Sequence, residues 1–158
     1  MDKLNRIASF SVNHLNLYPG IYVSRRDRNG DCVVTTFDMR FTAPNREPVL
    51  DQPALHTIEH MGATYLRNCA VKDDIVYFGP MGCRTGFYLV MFGDLTSEDV
   101  FDTIIDMCDF IEGYEGEIPG AKPEECGNYS EQNLNMAKYY IRRYKHELTE
   151  NRRFVYPE

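Results

Sequence analysis

The sequence predicts an α+β fold: an antiparallel β-sheet with helices packed on one face, in a single domain. Strand-type runs cluster in the first part of the chain, and helical periodicity dominates the second. No regular alternation of strand and helix, the mark of a parallel sheet, is visible. The 158 residues suffice for one sizeable core and are few for two ordinary domains.

The first strands are read at residues 20–26 and 31–41, separated by Arg28-Asn29-Gly30. Asn-Gly between β-type runs is a hairpin signal, so the two should pair antiparallel. In the second run Val33, Phe37, Met39 and Phe41 share one face, and period two puts Thr36, Asp38 and Arg40 on the other, away from the core. Two further strands are expected at 74–78 and 85–92, joined by the tight segment Gly79-Pro80-Met81-Gly82-Cys83-Arg84.

Helical spacing begins after Asp51, an acidic N-cap candidate, with Pro53 in the first turn and Leu55, Ile58, Gly62, Tyr65 and Leu66 on one stripe to about Asn68. Thr96 and Asp99 form a capping box ahead of a second helix carrying Val100, Phe101, Ile104, Ile105, Cys108 and Ile111. Ser130 is the expected cap of a last helix running to about Leu148. The stretch 115–128, rich in Gly, Pro and Glu, reads as a functional loop.

Composition excludes several classes. Hydrophobic residues at 43% and charged residues at 26% are ordinary globular usage. With a formal net charge of -7 and no basic stripe, nucleic acid is not an expected partner. The apolar run at 87–92 is too short to span a bilayer, and the opening MDKLNRIASF lacks the apolar core of a secretion signal. No membrane association and a cytoplasmic location are therefore expected. Five cysteines with no CxxC pair suit reduced thiols better than a disulfide framework.

The chemistry centres on His56-Thr57-Ile58-Glu59-His60. Residues four apart on a helix share a face, so both imidazoles can reach one metal. Glu59 lies on the same side, where a general base is wanted. A tetrahedral site needs a third protein ligand and, for catalysis, an open position, and Cys126 in the functional loop is the candidate. Cys83, between Gly82 and Arg84 in a turn, can be approached by a ligand, and a neighbouring cation favours its thiolate, so it is the candidate proton carrier. Cys108 on an apolar stripe, Cys32, Cys69 and His146 are read as structural.

These residues resemble the LuxS family in separated blocks: Ser9-Phe10 with His14; Phe37-Asp38-Met39-Arg40-Phe41 before Pro44-Asn45; His56 to His60; Pro80-Met81-Gly82-Cys83-Arg84-Thr85-Gly86-Phe87; and Glu125-Cys126-Gly127-Asn128. The blocks stand in the family's order and span nearly the whole chain. The resemblance implies cleavage of S-ribosylhomocysteine to homocysteine and 4,5-dihydroxy-2,3-pentanedione, the autoinducer-2 precursor of quorum sensing, within the activated methyl cycle.

It further implies that His56, His60 and Cys126 hold one divalent metal per subunit. Ferrous iron is the expected native ion, with zinc or cobalt as substitutes, and a mixed His2Cys site accepts any of them. By the same resemblance Cys83 and Glu59 move protons, Ser9, His14 and Arg40 line the substrate pocket, and two chains form a homodimer with its active sites at the interface. Arg40 is suited by its fixed donors to hold sugar oxygens or a carboxylate.

Tyr77 stands where some relatives carry Asp, Gln132 where a His is common, and Asn13 where an acid often precedes His14. Two other readings stay open at this point. HxxEH is also a metallopeptidase signature, and a non-catalytic metal-binding or sensing module would close a four-ligand site with Cys83.

Overall fold

The computed structural model describes residues 4–158. Strand β1 (Gly20–Asn29) turns into β2 (Cys32–Arg40), and helix α1 (Gln52–Leu66) follows. Strands β3 (Ile75–Pro80) and β4 (Gly86–Phe92) complete a four-stranded sheet before helices α2 (Ser97–Gly113) and α3 (Leu134–Asn151). The strand order is β1-β2-β4-β3, and every neighbouring pair is antiparallel. This is the expected α+β architecture.

The hairpin forms one residue later than the Asn-Gly reading implies. Asn29 pairs with Cys32, so Gly30 and Asp31 are the central residues. Gly30 carries the positive φ of 60° that the first central position of a type II′ turn demands. Arg25 opposes Thr36 after a register shift, and both strands extend beyond the bulge.

One face of the sheet meets all three helices. Ile21, Phe37, Met39, Phe87, Leu89 and Met91 point into a core closed by Ile58 and Met61 of α1, Ile104 and Met107 of α2, and Ile141 and Leu148 of α3. Tyr144 is buried there, donating its hydroxyl hydrogen to Gly20 O at 3.0 Å, while burial pushes its pKa well up. At Gly62 a Cβ would collide with the Phe78 ring, so glycine is what lets α1 lie down on β3. Cys108 is fully buried on α2, and burial pushes its thiol pKa up, which makes it the inert core residue expected.

Helix ends follow the sequence in part. The Thr96/Asp99 capping box is complete. Asp51 occupies the N-cap position of α1, but its side chain makes no cap hydrogen bond. Ser130 does not cap α3; Asn133 does, accepting from Met136 N at 3.0 Å. The delay arises because residues 131–133 are held against α1, as described below. Among the described residues, no helix is long and apolar enough to cross a membrane.

The opposite sheet face carries the even-numbered β2 side chains. Arg40 points away from the helical core as the alternation requires, yet it is not on the surface: Asp38 is 1% and Arg40 3% exposed. The helices do not cover this end. The N-terminal segment and the C-terminal tail do.

Candidate active site

Two clusters of functional side chains form on one chain. The first is built on α1. His56 and His60 stand one turn apart with ring centroids 4.6 Å from each other and planes at 81°. Each ring turns Nδ1 toward a main-chain oxygen, His56 to Glu131 O at 2.8 Å and His60 to Pro119 O at 2.7 Å. Carbonyls only accept, so each Nδ1 carries the proton and each Nε2 keeps its lone pair for a ligand.

Both carbonyls belong to residues 114–133, which have no helix or strand and include the expected functional loop. Gly120 lets this stretch approach: its φ is +73°, and a Cβ there would stand 3.0 Å from His60 Nδ1. The loop delivers Cys126, whose sulfur lies 3.4 Å from His56 Nε2 and 3.4 Å from the Asn128 N–H. One ligand atom from each of His56, His60 and Cys126 falls within 4.8 Å of the others, and all three side chains are half-buried.

Two imidazole nitrogens and a thiolate at those separations suit a tetrahedral divalent ion, for which metal–nitrogen and metal–sulfur distances are about 2.0–2.3 Å. The group has three members among the described residues, and Cys83 is not one of them. The donor set therefore gives no support to a closed four-ligand site with Cys83.

Glu59 lines a cleft of about 350 Å³ with His56, Gln52, Leu55, Pro80, Asn128 and Glu131. None of Ser9, His14, Arg40 or Cys83 lines it. Thr57, fully buried beside His56, supplies the fastening that the motif does not reveal. Its hydroxyl donates to Gln132 Oε1 at 2.7 Å and accepts from Asn133 N at 2.9 Å, locking 131–133 onto α1.

The second cluster lies on the open sheet face. Arg40 grips Asp38 through Nε at 3.0 Å and Nη2 at 2.5 Å, and donates from Nη1 to Thr85 Oγ1 at 2.8 Å. Burial works against the Arg40 charge, but the attraction of Asp38 and its hydrogen bond outweigh this and raise the guanidinium above its ordinary value. Thr85 Oγ1 in turn lies 3.1 Å from Cys83 Sγ.

Cys83 is exposed in the β3–β4 turn. The neighbouring Arg84 adopts a left-handed φ of 58°, and its guanidinium reaches Leu50 O at 3.4 Å. The cation linked to the thiol is thus Arg40, through Thr85, and not the adjacent arginine that the sequence suggested.

Ser9 lines a separate hollow with Ser24, Thr36, Tyr77, Tyr88 and Val90. Burial, then the Asp38 charge, raise the Tyr88 phenol there. His14 is half-buried with Nδ1 on Val12 O at 2.8 Å. The chain thus unites His56, Glu59, His60 and Cys126, and links Arg40 to Cys83, but it does not bring the two sets into one cleft. Thr57, Asp38, Thr85 and Tyr156 were not read from the sequence. Only Asp38, two residues before Arg40 on the same strand face, carried a readable signal.

Comparison with known proteins gives the family. A family model described as S-Ribosylhomocysteinase (LuxS) matches residues 7–154. The chain is 54% identical over 157 residues to the S-ribosylhomocysteine lyase of Finegoldia magna, covering 98% of this chain and 100% of the relative. It is 52% identical over 159 residues to that of Clostridium acetobutylicum, with 98% and 100% covered, and 53% identical over 149 residues to that of Phocaeicola vulgatus, with 94% and 92% covered. A match of this extent leaves no ground for the peptidase reading of HxxEH. On the ordered motifs, the ligand triad and these full-length likenesses together, the chain belongs to the LuxS family of S-ribosylhomocysteinases.

Proposed function

We propose that this chain cleaves S-ribosylhomocysteine to homocysteine and 4,5-dihydroxy-2,3-pentanedione. The observation that carries the reading is the His56, His60 and Cys126 triad with Glu59 beside it, in a chain that matches this family almost end to end. A divalent ion held there, ferrous iron in the native enzyme and zinc or cobalt as substitutes, supplies Lewis-acid polarisation of substrate oxygens.

The protein's own groups do the rest. The carbonyl of the open-chain sugar moves along the ribose when a proton is taken from the neighbouring carbon and returned to the old carbonyl carbon. Cys83 Sγ and the Glu59 carboxylate are the carriers, one on each side of the substrate. Elimination then removes a proton beside the migrated carbonyl, breaks the C–S bond and releases homocysteine as its thiol, with Glu59 serving this later step. Arg40, Ser9 and His14 bind the substrate's oxygens, Arg40 through the N–H groups not spent on Asp38 and Thr85.

The separation of the two clusters supports a homodimer with its active sites at the interface, where the Cys83 cluster of one subunit faces the metal cluster of the other. Within a cytoplasmic methyl cycle, such an enzyme would also feed autoinducer-2 synthesis. The test is release of free thiol from S-ribosylhomocysteine by anaerobically purified, iron- or cobalt-loaded protein, with Glu59→Gln and Cys83→Ala alongside. Metal-dependent release lost in both variants supports the reading, and no release from folded, metal-replete protein overturns it. Mixing the two inactive variants should restore about a quarter of wild-type activity if each site draws on both subunits of a twofold dimer. No recovery after subunit exchange would place both clusters' work within one subunit.

A further inference from the structure

Beyond α3 the chain turns back on itself. Arg152 takes a left-handed φ of 44°, and Arg153 O then accepts from Ile21 N at 3.0 Å, laying the tail across the open sheet face. The Tyr156 ring stacks on Tyr22 with centroids 4.7 Å apart and planes at 11°. Its hydroxyl donates to Asp38 Oδ2 at 2.8 Å, the same oxygen that receives Arg40 Nη2. Two residues on, Asn13 Nδ2 donates to Glu158 O at 3.1 Å while Asn13 Oδ1 accepts from Leu15 N at 3.1 Å, bracketing His14. An amide serves both partners, whereas a carboxylate at position 13 could not donate to the Glu158 oxygen.

From this geometry we propose that the C-terminal tail is a positioning element of the substrate site, with Tyr156 setting Arg40 through Asp38. The inference rests on the reading above that Arg40 binds substrate. Both Asp38 oxygens are engaged by Arg40, so the guanidinium plane follows the carboxylate plane. Arg40 alone leaves that carboxylate free to swing with it as a pair. The Tyr156 hydroxyl is a fixed third point, because its ring is clamped on Tyr22 and its backbone is tied to β1 through Arg153. The pair is nearly dry, with side chains 3% and 2% exposed, so each hydrogen bond to it acts in a low dielectric. Tyr156 touches no reacting atom. It aims the donors that do.

The discriminating substitution is Tyr156→Phe, which keeps the stack on Tyr22 and removes only the hydroxyl. A second variant, ending the chain at Phe154, removes the strap altogether. In cobalt-loaded enzyme, Tyr156→Phe should raise KM for S-ribosylhomocysteine about tenfold, with kcat within about twofold of wild type, metal content unchanged and the fold retained. The Arg40 Nε–H, buried and bonded to Asp38, should give a protected NMR signal whose hydrogen exchange quickens about tenfold in the variant. Unchanged KM, or unchanged Arg40 exchange in both variants, overturns the proposal. Should wild-type protein release no thiol, the lyase reading falls. The Arg40 exchange arm then decides the positioning claim alone, by the same criterion.

Discussion

Thr85 Oγ1 stands 3.1 Å from Cys83 Sγ and receives Arg40 Nη1 at 2.8 Å. A guanidinium can only donate, so the hydroxyl's single proton is free for the sulfur. The order of donors from Arg40 to Thr85 to Cys83 ties the arginine proposed to bind substrate to the thiol proposed to carry protons.

Thr85→Val preserves the side chain's shape and deletes that relay. A hydrogen bond to a charged group contributes about 1.5–3 kcal/mol, so kcat for thiol release should fall roughly ten- to a hundredfold. Steady-state kinetics at matched metal content measure it, and a kcat within twofold of wild type would sink the relay.

Thr57→Val should weaken the metal site without touching a ligand. The substitution leaves Gln132 Oε1 and Asn133 N unpaired and frees the Glu131 carbonyl that orients His56. Loss of such outer support typically lowers metal affinity about ten- to a hundredfold. Competition against a chromophoric chelator reads this directly, and equal affinities would assign Thr57 to packing alone.

Cobalt spectra separate the two cysteines. Cys126→Ser should abolish the thiolate-to-cobalt absorption, whereas Cys83→Ser should leave it, because Cys83 is not in the ligand triad. Equal loss in both variants would mean a closed four-ligand site.

Stability should fall on the alkaline side. Burial pushes the Tyr22 phenol up to about 12 from 10, against a smaller opposing pull from Arg153. The folded value lies above the unfolded one, so the native state holds the proton more tightly. Tyr22's contribution is whole below about pH 10 and drains away as pH rises toward 12, roughly 2–3 kcal/mol in all. Urea midpoints measured at about pH 9 and 11 should drop less in Tyr22→Phe than in wild type. Parallel drops would remove Tyr22 from the account.

How far the sequence reached is clearest at particular residues. His56 and His60 were legible because helical spacing and ligand spacing coincide at four residues. The α2 cap was legible because both halves of its box lie within four residues of chain. The onset of α3 was not: Ser130 has the right chemistry, but the pull of Thr57 and His56 on residues 131–133 comes from a helix some seventy positions earlier. Arg40 was correctly turned from the core, yet alternation says nothing about what covers the other face. That cover is Tyr156, separated from Asp38 by 118 positions. Local pattern finds groups that one element brings together and misses those that only the completed fold assembles.

The Pro119 and Glu131 carbonyls pin the irregular segment to α1 on both sides of Cys126. A chain anchored at two points confines its middle to a small volume, so the thiolate meets the two imidazoles at an effective concentration on the order of mM. Letting go of the sulfur by ligand exchange does not release the segment. Recapture then proceeds at the rate of a local side-chain motion, and the ordering entropy of the segment is not charged a second time.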